Sequence, residues 1–107
     1  MNDQMLGTFE YFVLRSVFDL KDGAYGVPIR HHIAEATKKE PSAGALYSTL
    51  ARLETKGYVK SQMGEATAVR GGRSKKMYVV EGKGRRALYN YEAAVGSLMD
   101  QSIEAGV

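Results

Sequence analysis

A small α+β fold, mainly helical, is what the sequence predicts. Apolar residues recur at helical spacing in four separate stretches. Only Lys38-Lys39-Glu40-Pro41 separates the second stretch from the third. Between the third and the fourth, the period changes to that of strands on either side of a polar, glycine-bearing loop.

The chain's 107 residues suit one domain with an added oligomerisation element. No run of 18 apolar residues exists, so no transmembrane helix is expected. The start of the chain is polar and lacks a basic segment followed by an apolar one, so no secretory signal is expected. Cysteine is absent. That excludes disulfides and thiolate metal sites and fits a cytoplasmic location. The formal charge of +3 is a weak pointer to a polyanionic partner. Where the charge lies says more than its total.

Thr8 to Leu20 is the first expected helix, with Thr8 as cap and Glu10 suited to the positive end of the dipole. Phe9, Val13, Val17 and Leu20 form an apolar stripe, which Phe12, Leu14 and Phe18 widen. Two readings stand side by side: a face that meets a second subunit, Phe12 included, or the central core helix. Lys21-Asp22-Gly23 and Tyr25-Gly26 are turn chemistry. Pro28 suits the first turn of a second helix, which buries Ile29, Ile33 and Ala36 and runs to about Thr37. Pro41 forbids its continuation.

The third helix spans about 42–56. Ser42 can cap it, Gly57 can end it in the left-handed conformation, and Lys56 suits its negative end. Leu46, Leu50 and Leu53 form its apolar stripe. The opposite face carries Gly44, Ala45, Ser48, Ala51, Arg52 and Thr55, with Tyr47 on its flank. A surface helix would normally carry more Lys and Glu there. This face is built to press closely on something.

Tyr58, Val59 and Met63 suit a strand, and Lys75 to Val80 a second. Gly64 to Ser74 is the loop between them, long for a hairpin. Arg70, Arg73, Lys75 and Lys76 make the hairpin basic, relieved only by Glu65. The last helix is expected from about Lys83 to Glu104. Leu88, Tyr91, Val95, Leu98 and Ser102 are spaced 3, 4, 3, 4, as in the seam of a short coiled coil.

Helix-turn-helix followed by a hairpin describes a winged helix. In that arrangement the third helix would enter the major groove, which accepts a helix only behind short side chains. Gly44, Ala45 and Ser48 meet the demand. The helix N-terminus beginning at Ser42 would offer N–H groups to a phosphate. Tyr47 would donate to a phosphate, and Arg52 would reach a phosphate or a guanine edge at the margin of contact. The wing, 64–76, would lie on the backbone or in the minor groove.

These residues resemble PadR-type transcriptional regulators. The resemblance is carried by Ala24-Tyr25-Gly26, Ser42-Ala43-Gly44-Ala45-Leu46-Tyr47, Leu50-Ala51-Arg52-Leu53-Glu54, Gly57-Tyr58 and Gly72-Arg73-Ser74-Lys75-Lys76-Met77-Tyr78, continuing to Gly84 and Leu88. Two departures stand out. Ser48 occupies a place where the family usually has proline after the tyrosine. Val80-Glu81 replaces a Leu-Thr pair that usually caps the last helix. The resemblance implies a winged-helix repressor that binds an inverted-repeat operator as a homodimer. It assigns Gly72 to the DNA surface with the wing cations. It divides the chain into a DNA-binding part, 1–81, and a C-terminal dimerisation helix, 82–107. Some members hold planar aromatic compounds with a tryptophan on the last helix. This chain has no tryptophan, so an inducer is not implied, although Tyr89 and Tyr91 offer aromatic surfaces.

Other functions fit less well. His31, His32 and Glu35 are too few for a closed metal site. No phosphate-binding glycine motif and no nucleophile, base and orienting acid can be named, so neither an enzyme nor a cofactor is expected. A winged-helix protein-interaction module, its basic wing on an acidic partner, is the alternative to a DNA-binding regulator.

Overall fold

The computed structural model describes residues 5–64, 75–99 and 103. Four helices and one hairpin follow in order: α1 (Thr8–Leu20), α2 (Gly26–Thr37), α3 (Ala43–Thr55), β1 (Val59–Met63), β2 (Lys76–Val80) and α4 (Gly82–Leu98). A single 3-10 turn, Lys21–Gly23, follows α1. The strands pair antiparallel with Val59 opposite Val80 and Met63 opposite Lys76. This is a winged helix-turn-helix, an α+β fold with mainly helical content.

Helix α1 is the central element, packed on α2, α3, α4 and β2. Its Val13, Leu14 and Val17 meet Ile29 and Ile33 of α2, Leu46, Leu50 and Leu53 of α3, Val59, Tyr78 and Leu88 in one core. Burying each of the larger side chains is worth about 1.5–3 kcal/mol. The breadth of the α1 stripe is therefore mostly spent inside the protomer. Phe9 and Phe12 are half-buried, and Phe18 is exposed.

The N-terminus of α1 departs from the expectation. Gly7, not Thr8, is the N-cap residue, and the Glu10 carboxylate accepts from the Gly7 N–H at 2.9 Å. Helix α2 starts at Gly26, two residues before Pro28. The turn to α3 is held by Arg30, which donates to the Pro41 carbonyl at 3.1 Å and pairs with Glu40. Ser42 Oγ accepts from the Ala45 N–H at 3.1 Å and caps α3 as expected. At the other end the N–H of Gly57 bonds the Glu54 carbonyl and that of Tyr58 bonds the Leu53 carbonyl. This is the Schellman arrangement, and Gly57 at φ 81° supplies its left-handed residue.

The chain before α2 adds a short rung that the sequence does not announce. The Tyr78 N–H donates to the Ala24 carbonyl at 2.9 Å, which ties β2 to the α1–α2 connection. Helix α4 begins without a side-chain cap at Glu81, in line with the missing Leu-Thr pair. It is anchored instead by the Glu81 N–H on the Tyr58 carbonyl and by Gly84 lying against that same carbonyl. No described helix is long and apolar enough to cross a membrane.

Candidate nucleic-acid interface

Helix α3 divides its residues sharply. Leu46, Thr49, Leu50 and Leu53 are buried, while Ala43, Gly44, Ala45, Tyr47, Ser48, Ala51, Arg52 and Thr55 are exposed. The i, i+4, i+7 leucines dock the helix on the core, so the small residues must face outward. An α-helix with side chains is about 10–12 Å across, close to the width of the major groove. Gly44, Ala45 and Ser48 thin α3 on the side where that fit would be tightest. Among the described contacts, these residues make no ion pair.

Tyr47 is held rather than free. It is half exposed, and its hydroxyl lies over Gly26 at the start of α2. Any Cβ at position 26 would overlap that hydroxyl. This gives Gly26 of the Ala24-Tyr25-Gly26 motif a physical reason: it makes room for the tyrosine of the next helix. The neighbouring Tyr25 ring lies 5.3 Å from Lys75 Nζ, a cation–π contact that places the base of the wing beside α2. Lys76 is exposed at the start of β2. Ser42, Gly44, Ala45, Tyr47, Ser48, Lys75 and Lys76 thus lie on α3 and at the base of the wing. Arg70, Gly72 and Arg73, assigned to the same surface from the sequence, lie outside the described residues.

Arg52 lies at the edge of this face and is paired inward. Its Nε donates to Glu10 Oε2 at 3.2 Å, and Lys56 Nζ reaches the same oxygen at 2.8 Å. The guanidinium is turned back towards α1, not out along the face of Gly44, Ala45 and Ser48. Lys56 likewise serves Glu10 in addition to any effect on the dipole. Glu10 is almost buried. Burial alone would raise its pKa, but the bonds from Lys56, the Gly7 N–H and Arg52 outweigh it and hold the carboxyl below its ordinary value. The sequence carried a signal for this group. Glu10 precedes Val13, Leu14 and Val17 by three, four and seven residues, so it lies on the buried stripe, where an acid needs partners.

The expected dimer seam also divides. Leu88 is buried in the protomer's own core. The Tyr91 ring stacks on Tyr11 with centroids 4.4 Å apart. Glu92 accepts from both the Tyr11 hydroxyl and Arg15, so this part of α4 is bolted to α1. Leu88 and Tyr91 are therefore intramolecular packing residues in this structure. Val95 and Leu98 are exposed, Leu98 at 85 %, and Met99 and Ile103 are exposed beyond them. Phe12 lines a groove of about 400 Å³ with Phe9, Ile33, Thr37 and Pro41. Ser102 lies outside the described residues. The first half of α4 packs against the winged-helix body through Leu88, Tyr91 and Glu92. His32 bonds Asp19 at 3.1 Å.

The sequence model of the PadR-like family of transcriptional regulators matches residues 15–90. The chain belongs to this family. It is a winged-helix transcriptional regulator. Solved structures agree. A PadR-like transcription factor from Bacteroides fragilis is 28% identical with a TM-score of 0.73, the match covering 86% of this chain and 84% of that one. A transcriptional regulator from Clostridium thermocellum is 25% identical with a TM-score of 0.68, covering 84% of each chain. A PadR family regulator from Clostridium difficile, 23% identical with a TM-score of 0.69, shares the fold over 89% of this chain and 97% of its own. Curated protein sequences give no match. The PadR-like match spans the α3 surface, the wing and α4 as far as residue 90.

Proposed function

We propose that this PadR-like protein is a homodimeric repressor that binds an inverted-repeat operator in double-stranded DNA, acting in the cytoplasm. Helix α3 enters the major groove with Ser42, Gly44, Ala45, Tyr47 and Ser48. The wing, 64–76, follows the backbone or the minor groove with Arg70, Gly72, Arg73, Lys75 and Lys76. Residues 1–81 carry the DNA surface, and 82–107 supply the dimer contact through Val95 and Leu98, with Phe12 and Ser102 beside it. The single observation that supports this most is the outer face of α3, small and uncharged from Gly44 to Ser48 beside a basic wing base.

Selection from a random-sequence duplex pool by the intact protein tests this. The enriched DNA is expected to contain a dyad whose half-sites lie about one helical turn, or a multiple of it, apart. It should bind at least a thousandfold more tightly than shuffled DNA, the low end of the usual range of about 10³–10⁷. A pool that yields no motif would contradict the proposal and favour the protein-interaction reading.

A further inference from the structure

Resting on that reading of α3, the geometry points to a role for Glu10 at the DNA surface. It is a positioning residue that withholds Arg52 from the DNA backbone, leaving the small residues of α3 to make the approach. Arg52 is the one basic residue within α3, and its side chain is about half exposed at 53%. It projects from the flank of the face that carries Ala45 and Ser48. A free guanidinium there would take a phosphate on any duplex, which adds affinity without sequence information.

Glu10 is built to prevent that. Its side chain is only 11% exposed. Oε1 is fixed by the Gly7 N–H at the start of α1. Oε2 faces α3 and takes Lys56 at 2.8 Å and Arg52 at 3.2 Å. Arg52 also reaches Thr49 Oγ1 at 3.5 Å, so its fork is engaged along its own helix. Moving Arg52 to a phosphate would leave a nearly buried carboxylate with Lys56 and the Gly7 N–H alone, a loss that opposes the move. The restraint therefore trades non-specific affinity for reading through Gly44, Ala45 and Ser48.

Binding of the full-length protein to a duplex enriched from a random pool, and to its shuffled counterpart, tests this across a salt series. Glu10→Gln keeps the shape of the side chain and an acceptor for the Gly7 N–H. It is expected to raise affinity for the shuffled duplex severalfold. It should steepen the slope of log affinity against log salt by about 0.9 for each protomer engaged. Adding Arg52→Gln to Glu10→Gln should return the slope to that of the wild type. Arg52→Gln alone should leave slope and affinity within about twofold of the wild type, and this arm decides even where Glu10→Gln fails to fold. A slope made shallower by Arg52→Gln alone would show that Arg52 already holds a phosphate, and would overturn the inference. So would a folded Glu10→Gln protein with an unchanged slope. A wild-type protein that does not separate the two duplexes would overturn the DNA-binding reading itself, and the inference with it.

Discussion

Helices α3 and α4 both leave one face uncovered, and the two faces are opposites. The free face of α3 is small and polar, with its one cation folded back on Glu10. The free end of α4 is apolar, with Val95, Leu98 and Met99 in the open. A polar face of glycine, alanine and serine has little to gain from another protein's core and much to gain from a narrow, hydrated groove. An apolar ridge has the reverse preference. The same fold thus offers two surfaces of opposite chemistry, which is what the proposed pairing of DNA with one and a second copy of the chain with the other requires.

The sharpest contrast lies within α4 itself. Leu88→Ala removes a fully packed core side chain and should cost about 2–5 kcal/mol of stability. A thermal melt would register it, while the oligomeric state of the folded protein stays unchanged. Leu98→Asp should do the opposite. The protomer keeps its core, light scattering reports a monomer, and operator affinity falls by about a hundredfold as the two half-site contacts lose their link. An unchanged mass would remove the exposed end of α4 from the interface.

On α3 the comparable test is Gly26→Ala. The added methyl would drive Tyr47 from its seat at the start of α2. Because the ring is half exposed it can swing outward, so stability should change little. Affinity should fall roughly tenfold for each half-site engaged, the worth of one charge-assisted hydrogen bond of about 1.5 kcal/mol per protomer. An affinity equal to the wild type would make Tyr47 a packing residue only.

The order of helices and strands was legible in the sequence because each signal was local. Ser42 and Gly57 bound α3 whatever surrounds it, and the leucines at 46, 50 and 53 have only one way to face. The candidate surface was legible for the same reason, since Gly44, Ala45 and Ser48 stand opposite those leucines. What the sequence did not show are relations across the chain. Arg52 lies 42 residues from its partner Glu10. Tyr91 lies 80 residues from Tyr11, on which it stacks. Heptad spacing said that Leu88, Tyr91, Val95 and Leu98 share one side of α4. It could not say that the first two would be consumed by α1 and the last two left over.

The smallest expected effect concerns the same junction of α1 and α4. The bond from Tyr11, and then the Arg15 guanidinium, hold the Glu92 carboxyl below its ordinary 4.5 despite some burial. Its contribution to stability is complete above that value and fades as pH falls through the lower folded value. Burial, with the negative charge of Glu92, pushes Tyr11 up from 10.0 to about 12. The contribution of Tyr11 is complete below 10 and is lost as pH rises from there towards 12. Melting temperatures should therefore droop at both ends of the pH range. Tyr11→Phe should flatten the alkaline droop, and Glu92→Gln part of the acid one. Glu10 adds to the acid side in the same sense.

The central claim is that the small face of α3 lies in the major groove, and methylation interference on the enriched duplex addresses it most directly. Methyl groups on guanine N7 project into the major groove, and those on adenine N3 into the minor groove. N7 methylation within each half-site is expected to block binding, with N3 interference confined to the flanks where the wing lies. Interference at N3 alone, with N7 positions silent throughout guanine-containing half-sites, would contradict the account.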